Sequence, residues 1–232
     1  DGSINTTYTS VNTTSGFSIS QYTGAGSTST VGHGLGVAPK VVLIKGLSNS
    51  GTWGMYHSSI GADKKIVLNS AAAEVSSGWM NSTAPTNQVF TVINDSDVGT
   101  SGYTYVAYCF AEKKGFSAMG SYVGNNSFDG TFVYTGFKPA LVIVKHYLVD
   151  SRNWTMLDNK RSSSGGGNPN DKWIYANENE AEANQASNPT DFLSNGFKLR
   201  SNAGYTNNGS YIYMAFAEEP LVASNGIPAT AR

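Results

Sequence analysis

The chain has 232 residues, a formal net charge of −1, 13% charged residues and 39% hydrophobic residues. That much apolar surface can offset the entropy of ordering a backbone, which excludes a disordered chain. With no basic stripe, no acidic block and no apolar run near the ~20 residues of a spanning helix, nucleic acid and membrane insertion are not expected.

Residues 1–15 are rich in Thr and Ser and open on Asp1-Gly2-Ser3 without a signal-peptide pattern. They read as an extra strand or as a junction to an upstream region, and the expectation is a mature or trimmed C-terminal piece of something longer. From Gly16 the sequence runs through a series of phrases that returns, in the same order, from Gly115. "GFSISQYTG" at Gly16 pairs with "GFSAMGSYVG" at Gly115, and Gly36, Pro39 and Lys45 pair with Gly136, Pro139 and Lys145 at identical spacing. Trp53 and Met55 then match Trp154 and Met156, and Asn69, Ala73 and Glu74 match Asn177, Ala181 and Glu182. The series closes on "YVAYCFAE" at Tyr105 against "YIYMAFAE" at Tyr211. The extra residues of the second half fall in "SSSGGGNPND", expected to be an exposed, mobile loop.

Within each half, short apolar runs are bounded by turn residues, the pattern of strands. Val41-Val42-Leu43-Ile44 and Leu141-Val142-Ile143-Val144 are apolar on both alternating faces and read as central strands. "NSAAAEV" from Asn69 and "NENEAEAN" from Asn177 combine a capping residue with Ala and Glu, which predicts one helical turn per half. The fold expected is all-β, a jelly-roll-like β-sandwich of ~12 to 14 strands built from two tandem homologous units. Its divisions are 1–15 as an N-terminal extension, 16–114 as the first β-unit, 115–220 as the second packed on it, and 221–232 as a C-terminal tail.

Chemistry for catalysis is not visible. His33, His57 and His146 lack a metal-ligand spacing and read as surface or turn residues. "GHGLG" at Gly32 leads into a strand, not the helix that a phosphate cradle needs. Asp158, Asp171, Glu178, Glu180 and Glu182 read as lying in a loop and a short helix, without equivalent acids at most matching positions of the first half, so no acid pair for glycoside cleavage is assigned. The Asn-x-Ser/Thr triplets read as turns, and the single Cys109 as a buried small hydrophobe. No cofactor, metal or catalytic residue is expected. The functional signal is aromatic. Rings can stack on sugar faces while amides and hydroxyls bond sugar hydroxyls. Trp53 and Trp154 match between halves and read as core, whereas Trp79 and Trp173 lack matching aromatics and stand as the candidate ligand-binding residues.

The phrases "GHGLGVAPKVVLIK", "YVAYCFAEKKGFS", "GSYVGNNSFDGTFVYTGFKPALVIVK", "DFLSNGFKLR", "YIYMAFAEEP" and "SNGIPATAR" resemble those of a family of bacteriophage tail-fibre and virion structural proteins. In that family the domain often follows a laminin-G-like sandwich. The resemblance covers Gly16 to Arg232 and carries no site residues. It implies a viral protein at the particle surface, in contact with other virion proteins. The expectation is a non-enzymatic tail-fibre or receptor-binding adhesin that meets a bacterial surface polysaccharide or protein receptor as a homotrimer. The alternative is an architectural subunit, a capsid decoration or filament repeat, that binds only its neighbours.

Overall fold

A strand with apolar side chains on both faces is stable only when layers cover both, and this demand organises each half of the chain. The computed structural model describes residues 2–163, 165 and 167–218, so the expected tail 221–232 lies outside the described residues. The chain divides into two compact units, Asp1–Asn69 with Glu74–Glu112, and Ser70–Ala73 with Lys113–Arg232. Every element among the described residues is a strand, a turn or irregular.

Unit 1 contains β1 (Tyr8–Asn12), β2 (Phe17–Thr23), β3 (Ser29–Gly32), β4 (Val41–Gly46), β5 (Gly54–His57), β6 (Lys64–Val67), β7 (Val75–Ser76), β8 (Val89–Val92) and β9 (Thr104–Phe110). A seven-stranded antiparallel sheet runs β1-β2-β9-β4-β5-β6-β7, and β3 pairs with β8 as a second layer. Tyr22, Val31, Val42, Ile44, Trp79, Phe90 and Val92 fill the space between them.

Unit 2 contains β10 (Ser117–Val123), β11 (Phe132–Tyr134), β12 (Leu141–His146), β13 (Thr155–Asp158), β14 (Lys172–Tyr175), β15 (Ala183–Asn184), β16 (Thr190–Leu193), β17 (Gly196–Leu199) and β18 (Ser210–Phe216). Its sheets run β10-β18-β12-β13-β14-β15 and β11-β17-β16 around Tyr122, Val142, Val144, Trp173, Phe192 and Phe197. The all-β sandwich architecture is as expected from the short apolar runs. The strand numbering reaches β18, beyond the ~12 to 14 expected, because short ladders such as β7 and β15 carry no apolar run to announce them.

The repeated phrases fall on strands with the same place in each sheet. The order β2-β9-β4-β5-β6-β7 is matched by β10-β18-β12-β13-β14-β15. Val42 stands opposite Cys109 as Val142 stands opposite Ala215, and both Cys109 and Ala215 are fully buried. One phrase shifts. Phe17 lies opposite Phe110, whereas Ser117 lies opposite Phe216, so the two "GFS" triplets are offset by one residue while Tyr22 and Tyr122 align.

Side chains repeat their work as well. Tyr22 stacks on Tyr105 at 5.4 Å, and Tyr122 on Tyr211 at 5.0 Å. In unit 1 their hydroxyls donate to the carbonyls of Val98 and Ser96; in unit 2, to those of Thr206 and Gly204. Lys45 Nζ donates to Gly51 O at 2.7 Å, and Lys145 Nζ to Arg152 O, each closing the loop before a tryptophan. The amide of that tryptophan, Trp53 or Trp154, donates to Oδ1 of Asn69 or Asn177.

Those asparagines correct the helix expectation. Neither caps a helix, because each carboxamide is engaged across a hairpin and the chain beyond it runs through irregular backbone into a short strand, β7 or β15. The histidines differ too, since all three are buried. His33 Nδ1 accepts from Leu35 N–H and Nε2 meets Thr86 O, so its neutral ring is satisfied without water, and His57 Nδ1 accepts from Ser59 N–H. Desolvation lowers the pKa of His33 and His146. The loop "SSSGGGNPND" is exposed only in part: Ser162, Asn170 and Asp171 are buried, with Asn170 tied to Thr190 through both backbone and side chain. In the N-terminal segment, β1 pairs with β2, and Ile4 bridges Val31 on the outer edge of β3.

Burial pushes the Cys109 thiol up to about 12. Native protein at pH 8 should therefore leave a thiol-reactive chromophore unconsumed, and the same protein in denaturant should consume one equivalent per chain. Lys145 is fully buried, its Nζ donating to the carbonyls of Ala71 and Arg152, and burial lowers its pKa to about 8. Lys145→Met removes the bond that the Arg152 carbonyl receives, while the Ala71 carbonyl keeps that from Arg152 N–H, and should cost about 1–3 kcal/mol in urea unfolding. The folded chain releases the Lys145 proton near pH 8, whereas the unfolded chain holds it to near the ordinary lysine value. Stability should consequently rise between pH 8 and 10 in wild type relative to Lys145→Met.

Candidate functional site

In the three-stranded sheet of unit 2, side chains alternate by the two-residue period of a strand. Val133, Phe197, Leu199 and Phe192 point into the core. Register then places the opposite set on one outer face: Phe132 beside Lys198 and Asp191, and Tyr134 beside Gly196 and Leu193. Phe132 is 41% exposed and Tyr134 67% exposed.

Glycines set the posture of these rings. A Cβ on Gly196 would stand 3.0 Å from the Phe132 ring and 2.1 Å from Val133 O, and a Cβ on Gly136 would stand 3.5 Å from Tyr134 Oη. Each aromatic ring therefore rests over a residue with no side chain, leaving its other side to solvent.

Charges frame the rings in pairs. Asp129 Oδ1 receives Lys198 Nζ at 2.9 Å and Arg200 Nη1 at 3.6 Å, while Arg200 Nε meets Asp191 Oδ2 at 2.7 Å. The hydrogen bond from Lys198 holds the Asp129 carboxyl below its ordinary value, so it stays ionised at neutral pH. Asp129 and the 62%-exposed Phe128 are presented by a turn that the buried Asn207 secures. Asn207 Nδ2 donates to Asn125 Oδ1 and Ser127 O at 2.9 Å and to Ser201 O at 2.6 Å.

Unit 1 has the same position without these groups. Its layer of β3 and β8 pairs Thr30 with Thr91 and Gly32 with Val89, so the strand that leads toward Gly36 carries no aromatic ring, whereas β11, leading toward Gly136, carries Phe132 and Tyr134. There Thr30 is engaged by Ser3, and no strand equivalent to β16 is present among the described residues.

The two tryptophans expected at a ligand are elsewhere. Trp79 and Trp173 are both buried, which removes them as a surface site. Trp79 fills the space left by Gly54, its ring 3.0 Å from where a Cβ would be, and its Nε1 donates to Lys64 O. Trp173 points inward on β14 with its edge toward Tyr205. Of the pair read as core, Trp154 is buried, while Trp53 is half-buried against Tyr108. The available signal lay in comparing repeats, because "TFVYTG" carries rings where "TSTVGHG" carries none. Among the described residues no group of three or more His, Cys, Asp or Glu is placed to hold a metal.

The fold and this face define an all-β protein of two sandwich units, one of them bearing exposed aromatic rings among paired charges. The chain belongs to the family described as Domain of unknown function (DUF7483), whose model matches residues 1–220. No curated protein and no solved structure matches it.

The frame of the face can be tested apart from any ligand. Gly196→Ala drives a methyl into Val133 O and should destabilise the protein by roughly 1–3 kcal/mol in urea unfolding, as overpacking against backbone does. Phe132→Ala and Tyr134→Ala remove exposed rings and should each stay within about 1 kcal/mol of wild type.

Proposed function

We propose that the chain is a structural protein of a bacteriophage virion, a tail-fibre or receptor-binding segment that holds a bacterial surface glycan or protein against the outer face of β11, β17 and β16. It acts by binding, without catalysis, at the particle surface and as a homotrimer alongside other virion proteins. One observation carries the reading. Strand β11 of unit 2 carries the exposed rings of Phe132 and Tyr134, where β3 of unit 1 carries no aromatic residue. Exposed aromatic side chains cost solvation and mark interaction surfaces when they cluster. The resemblance of the sequence phrases to tail-fibre and virion structural proteins supports the same assignment.

A second reading, an architectural subunit that binds only its neighbours, draws on β1. All five of its residues are exposed and none is charged, so nothing on it discourages pairing with another strand.

Gold-labelled antibodies against the chain, imaged on intact particles, separate the two. Labelling at a fibre tip, together with blocked adsorption of the phage by the soluble chain but not by Phe132→Ala/Tyr134→Ala, is the expected result. Labelling over the capsid or along a filament, with adsorption unaffected, favours the architectural role.

A further inference from the structure

We infer that the ligand of the β11–β17–β16 face is a neutral polysaccharide; this rests on the reading of that face as the receptor contact. The rings supply the first argument. Phe132 and Tyr134 lie two residues apart on one strand, each settled over a glycine, so two flat apolar surfaces are offered side by side. The C–H face of a pyranose is itself flat and apolar, and successive sugars repeat that surface along a chain.

Charge supplies the second. Lys198 and Arg200 are balanced by Asp129 and Asp191 in direct ion pairs, so the face carries no net charge. A polyanion, such as an acidic capsule or a phosphate-linked wall polymer, would have to displace Asp129 from Lys198 and would meet an ionised carboxylate beside each cation. Hydroxyl groups face no such competition. A carboxylate accepts from one hydroxyl while the adjacent ammonium or guanidinium donates to its neighbour, so paired charges suit vicinal diols. The turn bearing Asp129 is fixed in advance by Asn207, which lowers the ordering cost of binding.

The full chain is passed over immobilised neutral polysaccharides (glucans, mannans and galactans) and acidic ones (hyaluronan, polysialic acid and teichoic acid), at about 20 mM and about 500 mM salt. Retention on at least one neutral polymer is expected, changing less than about twofold between the two salts and weakened about tenfold or more by Phe132→Ala or Tyr134→Ala. Lys45→Ala, distant from the face in sequence and in unit 1, should leave retention unchanged. Retention on acidic polymers alone, or retention that collapses in high salt, overturns the neutral-ligand inference. Retention on none of them, while the soluble chain still blocks phage adsorption through Phe132 and Tyr134, overturns it in favour of a protein receptor and leaves the receptor-contact reading intact. Failure of both assays removes the reading and the inference together.

Discussion

The stacked tyrosine pair is the contact on which the rest of each unit depends. Tyr122 and Tyr211 sit on adjacent strands, β10 and β18, and their hydroxyls reach past the core to the loop that precedes β18. Asn208 N–H donates back to Tyr211 Oη, so the loop is held from both sides. That loop contains Asn207, which in turn secures the turn of Asn125 to Asp129 and hence the acidic end of the exposed face. A buried ring pair thus determines where a solvent-exposed carboxylate stands. Unit 1 uses the same device through Tyr22 and Tyr105, yet its loop leads to no comparable face.

The loop of unit 1 serves the interior instead. Asp97 accepts from Thr52 N–H at 2.9 Å, Thr52 Oγ1 at 2.7 Å and Lys65 Nζ at 2.9 Å. Burial alone would raise its pKa, but the bonds from Lys65 and Thr52 outweigh that and hold it low. A carboxylate in one unit is consumed by the hairpin it braces. In the other, Asp129 and Asp191 are braced at the rim of a sheet and keep oxygen atoms toward water. With so few charged residues in the chain, the location of each pair says a good deal about what each unit does.

Much of the architecture was legible in the sequence because strands with two apolar faces have few other ways to be satisfied. Val41 to Ile44 and Leu141 to Val144 announced the central strands, and the small residue opposite Val42 and Val142 announced its own burial. Asn69 and Asn177 misled, since an asparagine before Ala and Glu is also how a helix begins, and only the distant tryptophan amide shows otherwise. Trp79 and Trp173 misled for a related reason. Polar sequence neighbours suggest exposure, but burial was decided by Gly54 and by the inward phase of β14, neither of them local to the motif. Phe132 and Tyr134 were hidden among many aromatics until the repeats were set against each other by strand position.

Strand β1 has water on both faces, and its outer edge carries the N–H and C=O groups of Thr9 and Val11. Its ladder to β2, a few hydroxyl contacts and the Val11 side chain against Gly34 fasten it, so it contributes little to the free energy of the sheet. Its amides therefore belong to the class that exchanges with solvent by local opening, while those of β9, flanked by β2 and β4, wait for unfolding of the whole unit. Along one sheet, the lifetime of a backbone proton is set by how many strands must part to release it.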